Sequence, residues 1–254
     1  MRRRARPRTR TISRLLVTLA STIGLVTTSA VHAGAAGTAT PRNFASEPGH
    51  QIIATALAAA SAMGSVTASS STTISGQDYS LVTVSSATAG QQILRVGAAK
   101  TLVRVVDGTV YINDTDTAIQ AQFGVSAPKY ANRWIEIPPG SSHFAQFNTF
   151  ILLPSLMSEV APAGALTTTK MTTVDKTSVV GVTGRPNIHL GLASGSETLY
   201  VAANAPHVPV RLVASDVVQG KREVFVISFA HWGQRVSIRR PTPSTPIAAT
   251  SLPK

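Results

Sequence analysis

Asp114 and Asp116, in the run YINDTDTA, are the closest pair of carboxylates in this 254-residue sequence. Oxygen ligands two residues apart suit a hard cation, but the run lacks the glycine and the distal glutamate of a calcium loop. Capping of a short helix from Thr115 or Asp116 to Phe123, ended by Gly124, explains the pair better, because side-chain oxygens there accept from free N–H groups. His50, His143, His189, His207 and His231 never fall at i, i+4 and none stands at ligand spacing from a carboxylate, so surface and turn roles are expected for them. Glu136 with Arg133 would make a catalytic cluster only if a cleft perturbed both. No G-x-S-x-G elbow, G-x-G-x-x-G loop, Walker loop or H-E-x-x-H occurs. Cysteine is absent, which removes disulfides, thiolate metal ligands, a cysteine nucleophile and an N-terminal lipid anchor. The expectation is a protein with no catalytic residue, no metal and no cofactor.

The remaining candidates are apolar, in a chain only 5% aromatic. Phe144, Phe147, Phe150 and Ile151 fall on one face of a helix that Ser141 or Ser142 opens and Pro154 kinks or ends. Trp134 lies in YANRWIEI, Tyr130 to Ile137, read as a strand broken by Pro138-Pro139. Phe225, Ile227 and Phe229 alternate with Val226 and Ser228 on another. These eight residues either form an ordinary filled core or line an apolar cavity. A broad, curved antiparallel sheet covered by few helices need not fill its concave face, which favours the cavity.

The elements that position these residues are mostly strands. His50 to Met63 carries Ile52, Ile53, Ala56, Leu57, Ala60 and Met63 on one helical stripe and stops at Gly64. Two strands follow from Val66 to Val96 around Gly76 and Gly90. Leu102 to Val106 and Val110 to Ile112 flank Asp107-Gly108, the strongest hairpin signal in the chain. Strands resume at Leu166 to Val174 and Thr177 to Thr183, and Gly184 to Ser196 reads as a loop. Thr198 to Pro241 contains four more strands: Val208, Val210 and Leu212 alternate in one, Val236 and Ile238 in the last, after a Trp232-Gly233 turn. Strand runs with inserted helices predict an α+β fold. The expected form is a strongly curved antiparallel half-barrel of about 9–11 strands, with helices near 50–63, 116–124 and 141–157 on its concave side.

The run VVDGTVYIN (Val105 to Asn113), KYANRWIEIP (Lys129 to Pro138), VTGRPN, LYVAANAPHVPVRLV and VFVISFAHWGQRVSI occur in an order that resembles the LolA/LppX superfamily, its LppX/LprG-type branch above all. The resemblance covers roughly Ile52 to Arg239. It implies an exported carrier whose half-barrel, lidded by helices, holds an acyl chain, with a lipid or acylated ligand and an envelope or membrane protein as partners. The motifs are structural, so they transfer no ligand residues; the eight candidates rest on side-chain phase alone. LppX/LprG-type proteins are usually lipoproteins, and this chain has no cysteine to lipidate. RseB-like domains use the same fold to report envelope stress to a membrane-bound anti-sigma partner, and a sensor of that kind is the alternative.

The ends read as export and tail. Met1 to Arg14 hold seven arginines and no acid, Leu15 to Val26 are apolar, and Val31-His32-Ala33 offers a small-residue cleavage pattern. Residues 1–33 are thus expected to be a signal peptide, 34–48 a linker, 49–240 the single domain and 241–254 a disordered tail. The whole chain has 23 basic and 11 acidic residues; loss of the seven leader arginines lowers its net charge from +12 to +5. The basic residues left are scattered along the sequence, which does not point to nucleic acid. N-terminal sequencing of the protein recovered from the envelope or medium is expected to begin Gly34-Ala35-Ala36, and an intact leader would mark a membrane anchor instead.

Overall fold

The structure, a computed structural model, describes residues 44–74, 77–123, 128–137, 139, 150–187, 195–218, 221–242 and 245–246. Residues 1–43, which hold the expected leader and most of the linker expected over 34–48, and the helix face of Phe144 and Phe147 lie outside the described residues; at the end of that linker Phe44–Ser46 forms a 3-10 turn with Phe44 buried. One open sheet of thirteen strands organises the rest, every ladder antiparallel except the last. It forms the curved α+β half-barrel that the alternations predict.

The chain enters through α1 (Gly49–Met63), which ends where Gly64 takes a left-handed φ of 75° and its N–H reaches the carbonyls of Ala60 and Ser61. A meander follows: β1 (Ser65–Ile74), β2 (Gln77–Ser86), β3 (Ala89–Val96), β4 (Ala99–Val106), β5 (Thr109–Asp114) and the short β6 (Ile135–Ile137). Asp107 and Gly108, at φ of 49° and 74°, make the two-residue turn between β4 and β5. Helix α2 (Asp116–Phe123) packs on β4 and β5. Thr115 caps it, its Oγ1 accepting from Ala118 N at 3.3 Å and from Lys100 N at 3.2 Å.

The second half contains α3 (Leu153–Glu159), β7 (Ala163–Thr168), β8 (Thr172–Val174), β9 (Thr177–Arg185), β10 (Ser196–Ala202), β11 (Pro209–Val218) and β12 (Lys221–Ala230). Its strands run β12-β11-β10-β9-β7 outward from β1, with β8 beside β9. Arg211 grips the β8–β9 turn from above β11, its guanidinium 2.6 and 2.7 Å from the two oxygens of Asp175.

Register sorts the side chains onto two faces. Ala68 pairs with Thr83, Thr83 with Gln92, Gln92 with Val103 and Val103 with Ile112, and the same row continues through Phe229 beside Ala68. This is the concave face. Helices α1 and α3 lie on it, burying Ile52, Ile53, Ala56, Leu153, Leu156 and Met157 against Val66, Val180, Val182, Leu199, Leu212, Ile227 and Phe229. Each large aliphatic side chain so buried contributes about 1.5–3 kcal/mol.

Several expectations are corrected. Thirteen strands form rather than 9–11, because Val66 to Val96 holds three strands, Leu166 to Val174 divides into β7 and β8, and β6 and β13 are very short. Tyr130 to Trp134 is not strand: Pro128–Tyr130 is a 3-10 turn, Asn132 sits at φ 58°, and its N–H bonds Asp114 O at 2.7 Å. Pro154 does not end a helix but sits in the first turn of α3, where its missing N–H costs nothing. Phe150 and Ile151 precede that helix in a turn, with Phe150 at φ 62°. The Trp232-Gly233 turn forms, but Arg235 to Arg239 joins no ladder. It runs instead along the opposite face: Ser65 Oγ donates to Gln234 O at 2.6 Å, and Arg104 donates to Arg239 O at 3.3 Å. Beyond it, within the expected tail, β13 (Thr245–Pro246) pairs in parallel with β6.

The turn at Ile151 stands directly on the sheet. Ser85 Oγ donates to Ile151 O at 2.7 Å, and a Cβ on Gly90 would collide with that same carbonyl and with the Ile151 side chain. Gly90→Ala is therefore expected to destabilise the fold by about 1–3 kcal/mol, the usual cost of overpacking, as read by urea denaturation. An unchanged midpoint would mean that the turn does not rest there.

Candidate functional site

The concave face divides into two sealed clusters and a strip between them. The first is the α1–α3 core already described. The second gathers Val103, Val105, Val110, Ile112, Ile135, Ile137 and Ile151, with Tyr130 and Leu152 against it. Phe150 packs on the first cluster and Ile151 on the second, so consecutive side chains diverge at the positive φ of Phe150.

The six described residues of the eight singled out by sequence are thereby separated. Ile227 and Phe229 are buried in the first cluster, with Phe150 and Phe225 half-buried at its border. Ile151 is sealed in the second. Trp134 points the other way: it precedes Ile135, which lies on the concave face, and its ring stacks under the Arg104 guanidinium, 4.8 Å from the centroid. Arg104 belongs to the opposite face, where its Nε donates to Gln91 Oε1 at 2.8 Å. Phe144 and Phe147 lie outside the described residues.

Between the clusters, toward the α2 end of the sheet, the concave face carries residues that sequence reasoning missed. Tyr79 and Leu81 of β2 lie across from Val96 and Leu94 of β3, and Phe225 of β12 shares their face. All five are half-buried rather than sealed. The Tyr79 hydroxyl is buried without a hydrogen-bond partner among the described residues, and burial raises its pKa. The upper part of the same face is polar, with Thr83 accepting from Gln92 Nε2 at 3.2 Å and Ser85 held by Ile151. The alternation in QDYSLVTVSS and AGQQILRV was the available signal; without the β2–β3 register it could not be assigned to a face.

Asp114 ends the strip. It is 1% exposed, and burial pushes its carboxyl up to about 7. Thr101, directly across the β4–β5 ladder, favours the ionised form but does not offset the lost hydration. Asp114 is thus a buried acid rather than a cap or a ligand of a pair with Asp116. Among the described residues no group of three His, Asp or Glu side chains could hold a metal. His207 is a structural residue, stacked 4.0 Å from Phe44 with Nδ1 3.0 Å from Ala202 O.

A separate open groove of about 490 Å³ lies at the start of α1 beside β7, lined by Pro48, Gly49, His50, Gly164, Leu166, Thr167 and Thr168. None of the six described candidate residues lines it.

No family model matches the sequence, and no curated protein matches it. Among solved structures the chain is similar to LprF from Mycobacterium bovis, at 18% identity over 78% of this chain and 97% of that one, with a TM-score of 0.48. It is also similar to an uncharacterized conserved protein from Thermus thermophilus, at 11% identity over 78% and 97% of the two chains, with a TM-score of 0.44. A DUF1329 family protein from Desulfovibrio piger aligns at 10% identity over 74% and 95%, with a TM-score of 0.29.

The buried acid makes stability pH-dependent. The folded pKa of about 7 lies above the unfolded value of about 4, so the folded state keeps a proton that the unfolded chain releases. The burden is absent below about pH 4, grows between 4 and 7, and is complete above 7. Asp114→Asn, neutral throughout, is expected to melt increasingly above wild type as pH rises through that window. Thermal melts of both proteins from pH 4 to 8 check this, and parallel curves would reject it.

Proposed function

We propose that this protein is an exported carrier that shelters an acyl chain on its concave face, without bond making. The observation that carries the reading is the half-buried apolar strip of Tyr79, Leu81, Leu94, Val96 and Phe225 between two sealed clusters. An acyl chain on such a strip loses water on both sides of the contact. Each methylene buried contributes about 0.8 kcal/mol, so some eight of them reach the lower end of the 4–15 kcal/mol association cost. The Tyr79 hydroxyl, without a hydrogen-bond partner among the described residues, supplies a donor for an ester or hydroxyl at one end of the ligand. The resemblance of the sequence motifs to the LolA/LppX superfamily agrees with this chemistry.

Native mass spectrometry of protein purified from its own host is expected to show a bound lipid. Leu94→Asp places a carboxylate in the strip, where an acyl chain would strip its hydration at a cost of several kcal/mol. Uptake of a fluorescent fatty-acid probe is expected to fall about tenfold or more, with circular dichroism and melting temperature close to wild type because Leu94 is only half-buried. A folded variant with undiminished uptake removes the strip from the site. A wild type that carries and takes up no lipid favours a filled, ligand-free structure.

A further inference from the structure

The face opposite the helices collects positive charge that is dispersed in the sequence. Arg95 and Lys100 stand directly across the β3–β4 ladder from each other, on that face. Like charges in this relation repel, and neither residue forms an ion pair among the described residues. Arg104 lies two pairs further along β4, and the segment after Trp232 brings Arg239 against it and Arg240 over the Tyr111 ring. Acids on this part of the face are few: Asp78 accepts from Thr73 at 2.8 Å, and Glu136 lies across from Tyr111. The other nearby acids are Asp107 in the β4–β5 turn and Asp116 at the start of α2, whereas Asp114 is buried on the concave side.

Between the two cationic rows runs an apolar one. Val82 pairs with Ile93 and Ile93 with Leu102, all on the open face, and Val82 is 40% exposed. The crossing segment is tied at Ser65 and Arg104, both outside this row. Tyr111 is buried beneath it and Trp134 stacks under Arg104, so neither of these two rings is free for base stacking. Cations flanking an aliphatic row that is exposed at Val82 and half-buried at Ile93 and Leu102 match a surface with anionic head groups above hydrocarbon. We infer that this face docks on a bilayer rich in anionic lipid, with Arg95 and Lys100 on the head groups and Val82, Ile93 and Leu102 at the hydrocarbon boundary. The inference stands on the opposite face from the acyl strip and does not rest on the carrier reading.

Vesicle co-sedimentation tests it, using the chain from Gly34 onward so that the arginine-rich leader contributes nothing; every described residue is retained. Wild type is expected to bind vesicles of phosphatidylglycerol mixed with phosphatidylcholine, to release them as salt rises, and not to bind phosphatidylcholine alone. Arg95→Gln with Lys100→Gln is expected to weaken binding about tenfold or more, since each surface cation adds measurably to anionic-lipid affinity. Val82→Asp should weaken it as well, whereas Lys170→Gln, in the exposed turn between β7 and β8, should not. Melting temperatures confirm folding of each variant, and Leu94→Asp should bind vesicles like wild type, which separates docking from acyl uptake. Equal binding to zwitterionic vesicles, or a double Gln variant indistinguishable from wild type, overturns the inference. So does tight binding to a duplex oligonucleotide that Val82→Asp leaves intact, which would assign the patch to nucleic acid.

Discussion

The ladder between β1 and β12 joins two meanders that are otherwise built locally. It sets Thr67 beside Ala230, Ala68 beside Phe229 and Ser69 beside Ser228, residues from opposite ends of the described chain. Most other pairings link strands adjacent in sequence, so each half can assemble from hairpins before this long closure is made. The joint is then held from both sides. On the concave face α1, which precedes β1, buries its apolar stripe against strands of the second half. At the strand ends Trp232 donates to Pro209 O at 3.0 Å while Gly233 N and Gln234 O bond Ser65. Without the joint there is no continuous concave surface, and α1 has no second layer to cover.

The turn at Ile151 determines what that surface can hold. By resting on Gly90 and Ser85 it closes the upper rows, and it ties Phe150 to one core and Ile151 to the other. The polar side chains of Thr83, Ser85 and Gln92 are therefore not an interruption in a greasy tunnel; they lie where the turn or each other satisfies them. The half-covered side chains of Tyr79, Leu81, Leu94 and Val96 lie in the rows nearer α2, in which Asp114 and the Tyr79 hydroxyl are also buried. A single face thus carries sealed core, polar support and open strip in succession.

Much of this architecture is legible in the sequence. The stripe of α1 and its Gly64 stop, the Asp107-Gly108 hairpin, the Thr115 cap and the Trp232-Gly233 turn are local signals, and local geometry honours them. The failures at Trp134 and after Trp232 are cases in which a distant partner decides. Trp134 follows a strand-like pattern, yet the Asn132–Asp114 bond turns the chain there and leaves only Ile135–Ile137 to pair. Val236 and Ile238 alternate like a strand, but the segment crosses strands on the outer face instead of joining their ladder. The strip residues Tyr79, Leu81, Leu94 and Val96 alternate plainly, but alternation identifies two faces without saying which one the helices cover. The cations at 95, 100 and 104 look scattered along the chain because cross-strand adjacency is invisible to it.

Both faces depend on one pleat, and the charges help to specify it. Strand β1, SVTASSSTTI, is almost uniformly small and polar, so its own sequence distinguishes its faces weakly. Register must come from its neighbours. A one-residue slip of β4 would send Lys100 and Arg104 to the concave side and expose Val103 and Val105 of the second cluster, and a slip of β3 would send Arg95 there. Burying even one of these cations without a partner costs far more than the like-charge repulsion between Arg95 and Lys100 on the open face. The cationic row is thereby a guard on register as well as a surface feature. The same constraint reaches β1 through β2, which pairs with both β3 and β1, so β1 itself can be permissive.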